Sequence, residues 1–267
     1  MKAIPSTTGI DIKVKRAKEH INNLELLISG FIESKPYEVF RQEETNGETN
    51  FRVKVKAQPP QEWGAIIGDV IHNLRSSLDY LVRQLVLANG KTPSKKTGFP
   101  ICDNAKKFEA YGVRKIQGVS NSAVHLVRAL KPYKGGNDAL WRLHELDIMD
   151  KHKLLIPVGA AYKGVILDFV RLVPKISGGR MVPKLPSSMR FDIKPADRQY
   201  PLEDGTILFR INAGAERNEM NMNPQFSFDV AFGDGQVVKG EPILPTLQQL
   251  ADFIEGIINP FRPLIDV

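Results

Sequence analysis

The chain has very little cysteine and no long apolar run. Cys102 is the single cysteine among 267 residues, which excludes internal disulfide bonds and zinc clusters made of several thiolates. No stretch of about 18 consecutive apolar residues occurs, so the sequence predicts no transmembrane helix and no membrane partner. The chain has no apolar core after Lys2, and we expect no secretory signal there. These absences favour a reducing, cytoplasmic location.

Three familiar catalytic motifs are missing as well. The sequence contains no P-loop motif, no G-x-G-x-x-G after a predicted strand, and no G-x-S-x-G nucleophile elbow. The usual sequence signals of P-loop nucleotide hydrolases, dinucleotide-binding dehydrogenases and α/β-hydrolases are therefore absent. Any chemistry of this chain has to come from residues that these motifs do not describe.

The composition is that of an ordinary globular protein with a basic surplus. Apolar residues make up 42% of the chain and charged residues 25%. The formal net charge of +7 and an isoelectric point near 9.4 favour polyanionic partners such as RNA or nucleotides. The densest basic groups lie at residues 13–18, 91–96 and 106–115. A solvated face is the ordinary explanation of any one such group.

Hydrophobic periodicity divides the chain into a helical half and a strand-rich half. Apolar residues recur every three or four positions over residues 11–33 and 61–89, and shorter helices follow. A β-hairpin is predicted within this half, at residues 37–57, around the turn pair Asn46-Gly47. Further along the chain, alternating apolar residues indicate antiparallel strands, with a second turn pair at Asp234-Gly235.

This order predicts an α+β protein, with an N-terminal helical bundle containing a β-hairpin, then an antiparallel β lobe and a C-terminal helix. The predicted division is a helical domain over residues 1–155 and a β lobe with its closing helix over residues 156–267. The sequence leaves open whether the hairpin joins the sheet of the β lobe.

One predicted helix, residues 68–86, has a charged front and an apolar back. With about 100° of rotation per residue, one narrow face carries His72, Arg75, Asp79 and Arg83. The opposite side carries leucine and isoleucine, so we expect this helix to pack by its back. A solvated face with an ion pair between Asp79 and Arg83 would explain the charged front equally well.

A second predicted helix, residues 140–155, places charged groups among apolar residues on all sides. A helix that is apolar around its whole axis is usually buried. His144, Asp147 and Lys151 nevertheless share one face of it. Buried charges need partners, because an unpaired one costs several kcal/mol. These side chains therefore require polar groups from another element.

We predict that the two helices face each other across a polar seam, formed by His72, Arg75, Asp79, His144 and Asp147. In the expected pairing, Arg75 satisfies Asp147, and His144 or Lys151 satisfies Asp79. A fully paired network of this kind can be purely structural. Ionisable groups gathered in a cleft are also the way in which active sites shift pKa values. The sequence leaves both interpretations open.

Two segments of these helices resemble known proteins. "HNLRSSLD" (residues 72–79) and "LHELDIMDKH" (residues 143–152) are similar to helices of a family of uncharacterised bacterial proteins, over roughly residues 59–155. More loosely, the first helix resembles the HEPN helical bundles, many of which are RNases with an arginine followed, after four to six residues, by a histidine. Arg75 stands at the arginine position, whereas no histidine lies four to seven positions after it. The HEPN resemblance implies a helical bundle and RNA cleavage.

The leading hypothesis is binding of nucleic acid or nucleotides, with metal-independent RNA cleavage as its catalytic form. The five seam residues are the candidate catalytic residues. His72 or His144 would remove the 2′-OH proton, since a histidine titrates near neutral pH. Arg75 would hold the phosphate bidentately, and Asp147 or Asp79 would orient the histidine.

Two alternatives from other classes stay open. A metal-dependent hydrolase would use ligand types that are present at His72, His144, Asp147 and His152. Their spacing matches no recognised metal motif, and the cations Arg75 and Lys151 in the same seam disfavour a bound metal ion. The other alternative is a binding or structural module without catalysis. The sequence identifies no cofactor, and it does not give the oligomeric state.

Overall fold

The computed structural model describes residues 4–168, 188–192, 199–211 and 222–265. Its longer helices, in chain order, are α1 (Thr8–Glu33), α2 (Trp63–Ala88), α5 (Asn121–Ala129), α6 (Asp138–His152) and α7 (Ile243–Ile258). Between α2 and α5 lie the single turns α3 (Ala105–Lys107), a π-helical turn (Phe108–Gly112) and α4 (Val113–Lys115), and a 3₁₀ helix (Asn259–Leu264) follows α7. The strands are β1 (Tyr37–Glu43), β2 (Thr49–Val55), β3 (Pro157–Asp168), β4 (Ser188–Asp192), β5 (Ile207–Ile211) and β6 (Met222–Phe232).

The predicted α+β class is confirmed, since helices combine with antiparallel sheets. The predicted hairpin is present as β1 and β2, which pair from Tyr37 opposite Val55 to Glu43 opposite Thr49. Gly47 in its turn has a φ of 82°, a left-handed conformation that glycine adopts without strain. Part of the predicted β lobe, residues 169–187, 193–198 and 212–221, lies outside the described residues.

A helical unit forms around α2. It consists of Met1–Leu27, Gln61–Ile156 and Gly235–Val267. The apolar side of α2 is buried, with Ile67, Leu74 and Leu78 fully inaccessible to solvent, and α2 contacts both α6 and α7. The apolar stripe of α7 that the sequence predicts is buried in this unit at Leu247, Leu250, Ile254 and Ile257.

A second unit, Ile28–Pro60 and Pro157–Asp234, holds the strands. They form two antiparallel three-stranded sheets, in the orders β1-β2-β5 and β4-β3-β6. Its buried cluster consists of Tyr37, Val53, Ala161, Leu202 and Leu208. Gly159 lets β3 approach this cluster, because a Cβ there would lie 2.1 Å from the Tyr37 hydroxyl oxygen.

These contacts group the chain differently from the predicted division at residues 155 and 156. The hairpin belongs with the strands, because β2 pairs with β5 from Thr49 opposite Ile211 to Arg52 opposite Ile207. The closing helix α7 belongs with the helices, because it buries its apolar stripe in the unit built around α2. Among the described residues, no helix combines the length and the apolar character needed to cross a membrane.

Candidate functional site

The helices α2 and α6 approach each other closely at two glycines in the first half of α2. A Cβ at Gly64 would lie 2.2 Å from the backbone oxygen of Leu155, and a Cβ at Gly68 would lie 2.2 Å from Oδ1 of Asp150. At Gly64 only glycine leaves room for the backbone that follows α6, whereas at Gly68 the contacting atoms belong to the side chain of Asp150. The contact brings the charged front of α2 against the polar face of α6.

One turn beyond Gly68, His72 meets Asp147. The Nδ1 atom of His72 lies 3.3 Å from Oδ1 of Asp147, and Lys151 donates to the other oxygen of the same carboxylate. Asp147 is only 3% exposed, so both of its partners are needed to offset its burial. Because a carboxylate accepts hydrogen bonds, Nδ1 of a neutral His72 carries the hydrogen, and Nε2 keeps its lone pair. The His72 side chain itself is 55% exposed.

Arg75, one turn further along α2, is the most connected side chain of the seam. It is 6% exposed. Its Nη1 donates to Oδ1 of Asp79 at 2.9 Å, and its Nη2 donates to the backbone oxygen of Phe99 at 3.1 Å. Its Nε donates to Nδ1 of His144 at 3.5 Å. One guanidinium group therefore joins α2, α6 and the loop that follows α2.

His144 lies buried beside this guanidinium group. Burial lowers the pKa of His144 to about 4, and the positive charges of Arg75 and Lys115 act in the same direction. The imidazole is therefore neutral near neutral pH, which is the form that accepts the hydrogen bond from Arg75. A base with so low a pKa is a poor proton acceptor at neutral pH. The exposed His72 side chain, which Asp147 holds through Nδ1, is the better placed of the two histidines to meet a ligand.

The structure brings all five predicted seam residues together, but with partners that differ from the expected pairing. Asp147 is satisfied by His72 and Lys151 and not by Arg75. Asp79 accepts from Arg75 and from the backbone nitrogen of Phe99 at 2.7 Å, and not from His144 or Lys151. The physical reason is that the long Arg75 side chain extends past α6 to Phe99, which leaves Asp147 to the shorter His72. The alternative ion pair between Asp79 and Arg83 is replaced by the pair between Arg75 and Asp79.

The arrangement gives no support to a metal centre. In the part of the chain that the structure describes, no three or more His, Cys, Asp or Glu side chains are grouped as metal ligands. His152, one of the four ligands considered from the sequence, is exposed at the end of α6. The Lys151 ammonium group and His72 already occupy the two oxygens of Asp147. Burial and the nearby carboxylates of Asp147 and Asp69 raise the pKa of Asp150.

A basic pocket of about 510 Å³ lies beside the seam, and the sequence alone does not reveal it. It is lined by Arg75, Asp79, Lys95, Lys96, Thr97, Gly98, Tyr111, Arg114 and Lys115. The lining combines two basic groups that are separate in the sequence, one after α2 and one at α4. Either group alone resembles a solvated charge run, and only their tertiary contact creates a cavity.

A backbone hydrogen bond joins the two walls of the basic pocket. The nitrogen of Gly98 donates to the oxygen of Lys115 at 3.1 Å, which joins the loop after α2 to α4. A Cβ at Gly98 would lie 2.8 Å from Oδ1 of Asp79, so this glycine lets the loop pass close to α2. The lysine side chains at 95 and 96 remain exposed at the rim of the pocket.

The charge of the basic pocket points to an anionic ligand. Five of its side chains are cations and one, Asp79, is a carboxylate that already accepts two hydrogen bonds. A concave surface with such an excess of positive charge raises the local concentration of anions.

Comparison of the chain with protein-family models, with curated proteins and with solved structures gives no match.

Proposed function

We propose that this protein binds RNA in the cytoplasm, through successive phosphate groups held at the basic pocket. The observation that carries the proposal is the convergence of Arg75, Lys95, Lys96, Arg114 and Lys115 on one cavity. Phosphate contacts from lysine and arginine supply most of the affinity of nucleic-acid-binding proteins. The chain-wide net charge of +7 favours the same class of partner.

A chain of phosphates fits the basic pocket better than a single small anion does. The cations come from three elements, namely α2, the loop after it, and α4. Lys95, Lys96 and Arg114 are exposed, so they can follow a flexible backbone. Arg75 is buried and fixed by three partners, so it forms the rigid floor of the site.

The first prediction concerns the rim lysines. The double variant Lys95→Gln, Lys96→Gln is expected to weaken binding of a short fluorescein-labelled single-stranded RNA roughly tenfold at moderate salt. It should also lower the magnitude of the slope of log affinity against log salt by about 1.4, because each phosphate contact to a single strand releases about 0.7 counterion. Fluorescence anisotropy over a series of salt concentrations measures both quantities.

The matched control for the rim lysines is the double variant Lys15→Gln, Arg16→Gln. It removes an equal number of positive charges from exposed side chains of α1, which are not part of the pocket lining. We expect this control to retain nearly the affinity and salt slope of the wild type. Equal losses of RNA affinity in the two double variants would mean that binding depends only on the net charge of the protein, and the proposed site would be wrong.

RNA cleavage without a metal is a second candidate function, which the His72–Asp147 pair favours. Asp147 orients His72 through Nδ1, and Nε2 stays available on an exposed side chain. In the proposed step Nε2 takes the 2′-OH proton, and the 2′-oxygen attacks the adjacent phosphorus. The bond to the 5′-oxygen breaks, and that oxygen takes a proton from water. The products are a 2′,3′-cyclic phosphate and a 5′-hydroxyl end.

The second prediction tests this cleavage directly. With excess EDTA present, His72→Asn is expected to slow RNA cleavage by a factor of about 10²–10⁴ while RNA affinity is retained. The control His125→Asn changes an exposed histidine on α5 and should cleave like the wild type. Denaturing gels and mass spectrometry identify the cyclic phosphate. Intact RNA after incubation with the wild type, or equal rates for wild type and His72→Asn, would exclude this role.

A further inference from the structure

An exposed aromatic ring stands in the wall of the basic pocket. Tyr111 lines the cavity and is 64% exposed. It lies in the π-helical turn Phe108–Gly112. Turns of this kind add a residue to a helix and are frequent at functional sites.

The surrounding structure fixes Tyr111 in this position. Its neighbour Gly112 is buried, and a Cβ there would lie 2.9 Å from the Phe108 ring and 3.1 Å from the Cys102 sulfur. The turn is therefore packed on its inner side, whereas Tyr111 lies on the exposed side. The guanidinium carbon of Arg114 lies 5.6 Å from the centre of the Tyr111 ring, within the range of a cation–π contact.

We infer that Tyr111 stacks against an unpaired base, so that the basic pocket selects single-stranded over duplex RNA. This inference rests on the proposed function. Sequence-tolerant binding of single strands combines a positively charged groove with aromatic rings on which bases stack. The basic pocket offers both, since Lys95 and Lys96 lie at its rim and Tyr111 in its wall. A paired base inside a duplex cannot present its face to a ring.

The size of the basic pocket agrees with this substrate. A volume of about 510 Å³ lies within the range of sites that hold a small ligand, so it suits one nucleotide of a strand, while the phosphates on either side meet the exposed lysines at the rim. A regular duplex is too wide to enter a cavity of that size, so it would meet the rim lysines only.

The experiment compares Tyr111→Leu with Tyr111→Trp, using three labelled probes in the same anisotropy assay. The probes are a single-stranded RNA, the duplex of the same sequence, and heparin, a polyanion without bases. Tyr111→Leu is expected to weaken binding of the single strand about tenfold, whereas Tyr111→Trp, which keeps an aromatic ring, should bind it as tightly as the wild type. Neither variant should change the affinity for duplex or heparin. The control Tyr80→Leu removes another partly exposed tyrosine, which lies on α2 and outside the pocket lining.

The outcomes separate this inference from the function on which it rests. If Lys95→Gln, Lys96→Gln weakens binding of all three probes while Tyr111→Leu changes none, the basic pocket binds phosphates and base stacking is excluded. If neither set of substitutions changes the affinity for any probe, the proposed function fails as well. Equal affinity of the wild type for single strand and duplex would also overturn the inferred selectivity.

Discussion

Gly64→Ala is expected to lower the free energy of unfolding of the helical unit by about 2 kcal/mol. The new Cβ would lie 2.2 Å from the backbone oxygen of Leu155 and 2.7 Å from the Leu154 side chain. A backbone oxygen cannot rotate away as the end of a side chain can, so α2 and the chain that follows α6 have to separate. This cost exceeds the gain of up to about 1 kcal/mol that alanine usually brings inside a helix.

The matched control for Gly64 is Gly256→Ala in α7. A Cβ at Gly256 meets no atom within 4 Å, so this variant should gain about 0.5–1 kcal/mol from helix propensity alone. Urea unfolding followed by far-UV circular dichroism measures both variants. If Gly64→Ala proves as stable as Gly256→Ala, then α2 does not lie in such close contact with Leu154 and Leu155.

The same two glycines show how far the sequence predicted the candidate site. The charged front of one helix and the buried charges of another were sufficient to predict that His72, Arg75 and Asp147 meet. A further signal was present at Gly64 and Gly68, because glycines four residues apart on one helix face permit a close helix contact. Which of these side chains pair with each other depends on how far each one reaches in the folded protein. Helical periodicity places residues on a face but does not give that reach.

The basic pocket could not be predicted from patterns in the sequence. Lys96 and Lys115 line one cavity because the loop after α2 runs beside α4. The hydrogen bond from the Gly98 nitrogen to the Lys115 oxygen joins the two segments. That contact depends on tertiary packing around Phe99, which is fully buried. Charge runs in a sequence indicate a surface, whereas the concavity of that surface depends on how distant loops meet.

A similar limit applies to the grouping of strands and helices. The hairpin turn at Gly47 was predictable because its determinants are adjacent in the chain. The pairing of Thr49 with Ile211 joins residues that are far apart, and alternation alone does not identify the partner of an edge strand. Local rules therefore gave the elements and the α+β class, and long-range pairing decided which unit each element joined.

Of the substitutions considered, Arg75→Ala is expected to have the largest effect on stability, lowering the free energy of unfolding by about 3 kcal/mol. The substitution removes three hydrogen bonds and leaves a cavity between α2, α6 and Phe99. The Phe99 oxygen loses its Arg75 donor, and Asp79 loses its cation while keeping the hydrogen bond from Phe99. Arg75→Lys retains the charge but cannot reach three partners with one ammonium group, so an intermediate loss is expected.

Arg83→Ala is the matched control for Arg75, since it removes an exposed arginine from the same face of α2. Its stability should stay within about 0.5 kcal/mol of the wild type. Thermal unfolding of the three variants measures these stabilities, and equal stability of Arg75→Ala and Arg83→Ala would exclude a structural role for the seam.

A large loss of stability in Arg75→Ala also affects how its RNA binding is interpreted. RNA affinity of Arg75→Ala then reflects the integrity of the pocket floor, and only the rim residues Lys95, Lys96 and Tyr111 report on direct contact with the ligand.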